Sequence, residues 1–182
     1  PVLAHPPKKE IVYRDICRYD YSRFTRRVAQ LANALGDLGV KQGDTVGVMD
    51  WDSHRYLECF FAVPMIGAVL HTVNVRLPSD ALQYLINDAR DDVILVHTDF
   101  LPLLESIKDK LTHVKRIILL SDNGIPAETS LEIDGEYEDL INKSWDDYDF
   151  PDFDENAMAT CFYTTGTAGP PKGVFFSHRQ IV

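Results

Sequence analysis

The chain has 182 residues, of which 45% are hydrophobic and 25% are charged, so it can bury a sizeable core and wholesale disorder is excluded. It carries 28 acidic and 18 basic side chains, which gives a formal net charge of −10 at pH 7. This charge repels phosphate backbones and anionic headgroups, so nucleic acid and membrane surfaces are disfavoured as partners.

The helices and strands alternate in the hydrophobic pattern. The pattern predicts four helices, which are a helix from Ser22 to a stop at Gly39, one at 57–65, one that opens at 78–79 and one at 104–111. Each helix is followed by a predicted strand, and these strands lie at 45–49, 68–73, 92–96 and 116–120. The third helix is expected to bury Leu82, Leu85, Ile86 and Ala89. Wholly apolar strands separated by helices imply an α/β fold: a mostly parallel β-sheet with helices on both faces.

The segment from Glu132 to Glu155 is strongly acidic, with eleven acids and Lys143 as its single base. Such a run cannot lie in a packed parallel sheet without paired counter-charges. We therefore predict a solvated surface excursion with a short helix around Tyr137 to Lys143. The spacing of a calcium-binding loop is not present in it.

Signals for export or membrane insertion are missing from this sequence. No stretch approaches the roughly 18 to 20 apolar residues of a membrane span, and Pro1 to Glu10 lacks the apolar core of a signal peptide. The three cysteines, Cys17, Cys59 and Cys161, are odd in number and far apart, which is typical of reduced thiols. We expect a cytoplasmic protein.

One segment has a composition that folding alone does not explain. It runs from Tyr163 to Val174 and reads Tyr-Thr-Thr-Gly-Thr-Ala-Gly-Pro-Pro-Lys-Gly-Val. An apolar run precedes it and a β-rich run follows it, so a strand delivers a glycine- and hydroxyl-rich loop to the edge of the sheet, where open α/β sheets bind ligands. Backbone N–H groups, threonine hydroxyls and Lys172 are suited to a phosphate group.

Two other interpretations of this segment are weaker. It is not a Walker A loop, because Pro171 precedes the lysine and Gly173 takes the place of the hydroxyl that would hold Mg²⁺. A plain hairpin between two strands would explain the glycines and prolines. It would not explain three threonines and a lysine together.

The same segment resembles the phosphate-loop signature of the adenylate-forming (AMP-binding) superfamily, usually Thr-Ser-Gly-Thr-Thr-Gly-x-Pro-Lys-Gly. Residues 21–39 and 44–48 resemble the early helix and first core strand of that family. Residues 61–77, which include Asn74-x-Arg76-Leu77, resemble a segment typical of medium- and long-chain fatty acyl-CoA synthetases. The resemblance extends from about residue 10 to residue 182, in matching order.

The resemblance implies a two-step ligase that uses ATP, Mg²⁺ and CoA. A fatty carboxylate attacks the α-phosphate of ATP to give an acyl-adenylate and pyrophosphate, and the CoA thiol then displaces AMP. The implied metal-side hydroxyl is that of Thr164, and no catalytic residue is assigned within this chain. The implied phosphate-binding positions are Thr164, Thr165, Gly166, Thr167, Ala168, Gly169, Lys172 and His178.

Some of these positions depart from the family pattern or have a second interpretation. Ala168 replaces a usual threonine, and loss of one hydrogen bond to a charged phosphate would cost about 1.5 to 3 kcal/mol of binding. Thr165 replaces serine and keeps the hydroxyl. His178 is either a helper near the phosphate entrance or an ordinary helix-start residue. Trp51 and Trp145 are interpreted as packing residues.

In the family, the adenine and ribose contacts, the acidic Mg²⁺ ligand and a small C-terminal domain all follow the phosphate loop. We therefore expect residues 1–182 to be the N-terminal part of an AMP-binding domain that ends just after the loop at 163–174, with the C-terminal domain absent. This fragment is expected to be inactive by itself. It is also expected to expose an edge and apolar faces through which it could form a homo-oligomer.

Three alternatives stay open at this point. The first is a ligase for an aryl or other carboxylic acid, against which the Asn74-x-Arg76-Leu77 segment favours fatty acids. The second is a nucleotide-binding module that acts alone. The third is a structural or interaction module in which the loop is a vestige, and the alanine at position 168 favours it.

Overall fold

A computed structural model describes residues 9–123, 128–164 and 170–181. The strands are β1 (Glu10–Tyr13), β2 (Cys17–Asp20), β3 (Thr45–Met49), β4 (Val69–Thr72), β5 (Asp91–His97), β6 (Arg116–Leu120), β7 (Gly135–Glu136), β8 (Met158–Thr164) and β9 (Lys172–Ser177). The helices are α1 (Tyr21–Asp37), α2 (His54–Met65), α3 (Ser79–Ala89), α4 (Leu101–Glu105), α5 (Tyr137–Lys143) and α6 (His178–Ile181).

A seven-stranded sheet with the order β7-β6-β5-β3-β4-β8-β9 forms the centre of the fold. Every neighbouring pair is parallel except β8 and β9, which are antiparallel. Strands β1 and β2 form a separate antiparallel hairpin beside α1. The predicted α/β class with a mostly parallel sheet is confirmed.

The sheet has a hydrophobic core on each face, because successive strand residues point to opposite sides. One face packs against α1, α2 and α5 through Val46, Val48, Val93, Leu95, Ile118 and Leu120. The other packs against α3 and α4 through Met49, Ile94, Val96 and Leu119. Helices therefore cover both faces, as the unbroken apolar strands predicted.

Two of the predicted helices have different boundaries in the structure. The N-cap of α1 is Asp20, whose side chain accepts a hydrogen bond from the Arg23 N–H, so the predicted start at Ser22 was two residues late. Gly39 follows the helix with a φ of +90°, as a stop signal should. The predicted helix at 104–111 is instead the short α4, flanked by 3₁₀ turns at 98–100 and 108–110.

The acidic segment contains the short helix that its pattern predicts, because α5 spans Tyr137–Lys143. Two of its residues nevertheless join the sheet, since β7 pairs in parallel with β6. Its carboxylates are also not all solvated: Glu138 accepts hydrogen bonds from the Arg27 guanidinium at 2.7 and 2.8 Å. The prediction of a purely solvated excursion was therefore wrong at two places. Strand β7 joins the sheet, and Glu138 is paired with Arg27, which supplies its counter-charge.

None of the helices in the described ranges combines the length and the apolarity that a membrane crossing requires. The three cysteines are free thiols; Cys59 and Cys161 are buried, and Cys17 is half-buried. Burial raises the pKa of the Cys161 thiol to about 12, so it stays protonated at neutral pH.

Candidate functional site

Strands β8 and β9 form a hairpin whose open end carries two of the predicted phosphate-binding residues. Thr164 is the last residue of β8, Lys172 is the first residue of β9, and the two are Cα partners across the antiparallel pair. Such partners lie about 5 Å apart. Both side chains are exposed. The hairpin therefore presents a hydroxyl and an ammonium group side by side.

This open end of the hairpin lies at the carboxyl edge of the sheet. Strand β8 runs parallel to β4, and β4 runs parallel to the strands on its other side, so all of them end at the same edge. Open α/β sheets bind ligands at that edge. The sequence predicted the loop at the ligand-binding edge of the sheet, and the two residues that flank it, Thr164 and Lys172, lie at that edge.

Five of the predicted site residues fall outside the described residues: Thr165, Gly166, Thr167, Ala168 and Gly169. Their roles stay predictions. The plain-hairpin interpretation was right about geometry, because the segment does join two adjacent antiparallel strands. That geometry is compatible with phosphate binding, since it is the loop between the strands that would hold the anion.

The structure does not bring His178 to the loop. It follows β9 at the opposite end of the hairpin, and the five-residue step from Lys172 to Ser177 corresponds to about 16 Å of extended strand. Its backbone N–H donates to the Ala157 carbonyl, and its ring packs against Phe153 with centroids 4.6 Å apart. Burial lowers the pKa of His178. Its geometry fits the ordinary helix-start role.

Tyr163 is a residue that the sequence pattern contained but to which we assigned no role. Its hydroxyl donates a hydrogen bond of 2.7 Å to the Asp88 carboxylate on α3. Its ring lies 5.3 Å from the ring of the buried His71. Burial and the hydrogen bond to Asp88 both raise the pKa of Tyr163, so the hydroxyl stays a donor.

A buried charge cluster lies away from the hairpin, between α1, α2 and α5. The fully buried Glu58 carboxylate accepts hydrogen bonds from the guanidinium of Arg27 and from the hydroxyls of Tyr19 and Tyr137. Burial works against the charge of Glu138, but hydrogen bonds from His54 and Arg27 outweigh it and lower its pKa to about 2. Glu58, Glu138, Arg27 and the two tyrosine hydroxyls are all paired within the protein, so we assign this cluster to stability, although the buried His54 Nδ1 has no partner among the described residues.

The two tryptophans differ in environment. Trp51 packs against Phe100 with ring centroids 4.7 Å apart, and its indole N–H donates to Asp99 at 2.8 Å. Its predicted packing role is confirmed. Trp145 is 83% exposed, so its predicted packing role was wrong; apolar character alone did not reveal that it follows the end of a surface helix.

The donor set at the hairpin is compatible with Mg²⁺ in the presence of a nucleotide. Within 9–123, 128–164 and 170–181, no group of three His, Cys, Asp or Glu side chains is arranged to hold a metal ion. Mg²⁺ usually keeps several waters and binds through phosphate oxygens and one or two protein oxygens. The exposed Thr164 hydroxyl suits such a role, and a dedicated cage of carboxylates is not required.

The fold defines a class of protein: an α/β protein whose mostly parallel sheet carries, at its carboxyl edge, the two described flanks of a glycine- and threonine-rich segment. The family model described as "AMP-binding enzyme" matches residues 2–182. The chain belongs to the AMP-binding enzyme family.

Similar proteins of known activity are acyl-CoA ligases. A medium-chain-fatty-acid–CoA ligase of Ectopseudomonas oleovorans is 38% identical over 168 residues, which are 92% of this chain and 31% of that protein. A long-chain-fatty-acid–CoA ligase of Thermus thermophilus is 36% identical over 96% of this chain and 31% of its own length. The chain thus spans about a third of the length of these relatives.

The same relationship is found in solved structures. The crystal structure of the anthranilate CoA ligase AuaEII in complex with anthranoyl-AMP aligns with a TM-score of 0.87 and 26% identity, over 98% of this chain and 33% of the other. The fold of this chain therefore corresponds to about a third of an acyl-CoA ligase.

Proposed function

We propose that this chain supplies the ATP phosphate-binding hairpin of a fatty acid–CoA ligase. The observation that carries the proposal is the pairing of Thr164 with Lys172 at the carboxyl edge of the sheet, in a chain of the AMP-binding enzyme family. In this proposal residues 1–182 are the N-terminal part of the AMP-binding domain, with the phosphate loop at 163–174. We also propose a cytoplasmic location, which the free cysteines support.

The proposed chemistry is acyl adenylation followed by transfer to CoA. A carboxylate oxygen attacks the α-phosphorus of ATP, the bond to the β-phosphate oxygen breaks, and pyrophosphate leaves. The thiolate of CoA then attacks the acyl carbon and AMP leaves. Mg²⁺, when bound, would supply charge neutralisation on the phosphate oxygens.

The residues of this chain would act on the leaving pyrophosphate. The Lys172 ammonium would neutralise charge on the β- and γ-phosphates, and the Thr164 hydroxyl would face the metal side. Charge grows on the β-phosphate as the bond to the α-phosphate breaks. Donors fixed there before the reaction stabilise the transition state more than the bound substrate.

Fatty acids are the proposed substrates, and aryl acids are the second candidate. The relatives at 38% and 36% identity, which are named for medium- and long-chain fatty acids, support the first. The structure that contains anthranoyl-AMP supports the second at 26% identity.

The test is an activity assay on the complete polypeptide in which residues 1–182 occur. With Mg·ATP, we expect octanoate and palmitate to support exchange of pyrophosphate into ATP, and CoA to yield the acyl-CoA. Lys172→Ala is expected to lower kcat/KM by about 100-fold, because it removes a charged phosphate donor. Lys115→Ala is the matched control, since Lys115 is an exposed lysine that pairs with Asp92 away from the hairpin.

The outcomes separate the candidates. Exchange with benzoate or anthranilate that exceeds exchange with fatty acids would replace the first candidate by the second. An absence of exchange with every acid, or equal activity of the Lys172→Ala and wild-type proteins, would contradict the proposed function.

A further inference from the structure

The loop end of the β8–β9 hairpin extends beyond the support of the main sheet. Strand β8 is in register with β4 from Thr160 to Phe162, so its last two residues have no partner on that side. Strand β9 is the edge strand and pairs with β8. An isolated two-stranded ribbon is marginally stable in water. The position of the phosphate loop therefore depends on what holds this ribbon.

A single side-chain hydrogen bond connects the described part of this loop end, residues 163–164 and 170–175, to the rest of the fold. It is the 2.7 Å bond from the Tyr163 hydroxyl to the Asp88 carboxylate. Asp88 lies in α3, the helix that packs on this face of the sheet. The Tyr163 ring also packs against the apolar clusters on this face and beside His71. Tyr163 thus joins the ribbon to a rigid helix.

The Tyr163 ring also spans the width of the ribbon. Gly173 is its Cα partner on β9, and a Cβ atom at Gly173 would lie 3.2 Å from Tyr163 Cζ and 3.3 Å from Tyr163 Oη. The same Cβ would lie 3.0 Å from Phe175 Cε2. The absence of a side chain at Gly173 therefore lets the tyrosine ring cover β9 while its hydroxyl reaches α3. Both strands of the ribbon are held by one side chain.

We propose that Tyr163 and Asp88 are positioning residues that clamp the phosphate-binding hairpin to α3 and hold Thr164 and Lys172 in place for the nucleotide. The inference rests on the proposed function. Neither residue is required to touch the phosphates. Without the clamp, the ribbon would have to be ordered when the nucleotide binds, and that ordering cost would weaken binding.

The test uses four variants of this chain: Tyr163→Phe, Asp88→Ala, Asp88→Asn and the double variant Tyr163→Phe/Asp88→Ala. We expect Tyr163→Phe and Asp88→Ala each to raise the Kd for Mg·ATP by about tenfold, the scale of one side-chain hydrogen bond. The double variant should be no weaker than either single variant, because all three lose the same bond. Asp88→Asn keeps a carbonyl acceptor and should bind within about twofold of wild type.

A second readout that needs no nucleotide keeps the two claims separate. Amide hydrogen exchange at Lys172 to Phe175 should become faster in Tyr163→Phe and Asp88→Ala but not in Asp88→Asn. Because Asp88 is exposed, its variants should fold normally. Unchanged exchange, or wild-type affinity in Tyr163→Phe when Lys172→Ala has lost binding, would overturn the clamp. Faster exchange together with no Mg·ATP binding by wild type would leave the clamp a purely structural device, which contradicts its positioning role, whereas the proposed function is tested separately by pyrophosphate exchange in the complete polypeptide.

Discussion

Replacing Glu58 by glutamine is expected to lower the free energy of unfolding by about 3 kcal/mol, the low end of the range for breaking a buried ion pair. Glu58 is fully buried and its carboxylate accepts four hydrogen bonds, two of them from the guanidinium of Arg27 at 2.6 and 3.1 Å. A glutamine at this position would place its NH₂ group against the N–H and O–H donors that the carboxylate accepts from, so at least one of these hydrogen bonds would be lost. Arg27 would keep one carboxylate partner, Glu138, in place of two.

Chemical denaturation monitored by circular dichroism measures this change. The matched control is Glu10→Gln, which breaks an exposed pair with Arg18 on the β1–β2 hairpin, at 2.6 Å. Because exposed pairs contribute about 0 to 1 kcal/mol, the control should stay within about 0.5 kcal/mol of wild type. Equal effects of the two substitutions would show that the buried cluster does not organise α1, α2 and α5.

Replacing Gly47 by alanine is expected to lower the free energy of unfolding by about 2 to 4 kcal/mol, because the added methyl group would overpack against a buried, hydrogen-bonded carboxyl group. A Cβ atom there would lie 2.6 Å from Asp91 Oδ2 and 3.0 Å from Asp91 Cγ. Asp91 is fully buried and its oxygens lie 2.9 Å from His71 Nδ1, so the carboxylate cannot move aside without breaking that contact. Burial raises the pKa of Asp91, and its contact with His71 opposes this rise.

The matched control for this prediction is Gly36→Ala in α1. Apart from its chain neighbours and the backbone of its own helix, no atom lies within 4 Å of a Cβ at Gly36, so alanine at this helical position should stabilise the protein by about 0.5 to 1 kcal/mol. The two glycine-to-alanine changes are therefore expected to have opposite signs in the same denaturation experiment. A gain at both positions would contradict the close approach of Asp91 to β3.

The elements that periodicity predicts are those with one continuous apolar face. The buried positions of α3 and the full length of β6 follow directly from the sequence, because burial alone determines their pattern. Strand β7 has two residues and no apolar signal, so it was missed. The start of α1 was misplaced because Asp20 and Ser22 are both good caps and only packing selects between them.

The polar contacts that organise the molecule were not predictable from local pattern. Glu58 and Glu138 follow Arg27 by 31 and 111 residues, and Asp88 and Tyr163 are 75 residues apart. A single sequence gives no signal for such pairs. The position of Thr164 and Lys172 was predictable, because strand, loop and strand follow one another directly. His178 begins the helix after β9, as its position in the sequence indicated, and of its two proposed roles the helix-start role fits the geometry, because the chain turns back at the loop and places this residue at the far end of the hairpin.

The measurement that tests the central claim most directly is calorimetric titration of this chain with Mg·ATP. We predict measurable binding at millimolar nucleotide or below for wild type and for Lys115→Ala. Lys172→Ala should lose most of this binding, because one charge-assisted contact to phosphate disappears. Equal binding by the Lys172→Ala and wild-type proteins, or no binding by wild type, would contradict the claim that this hairpin is a preformed phosphate site.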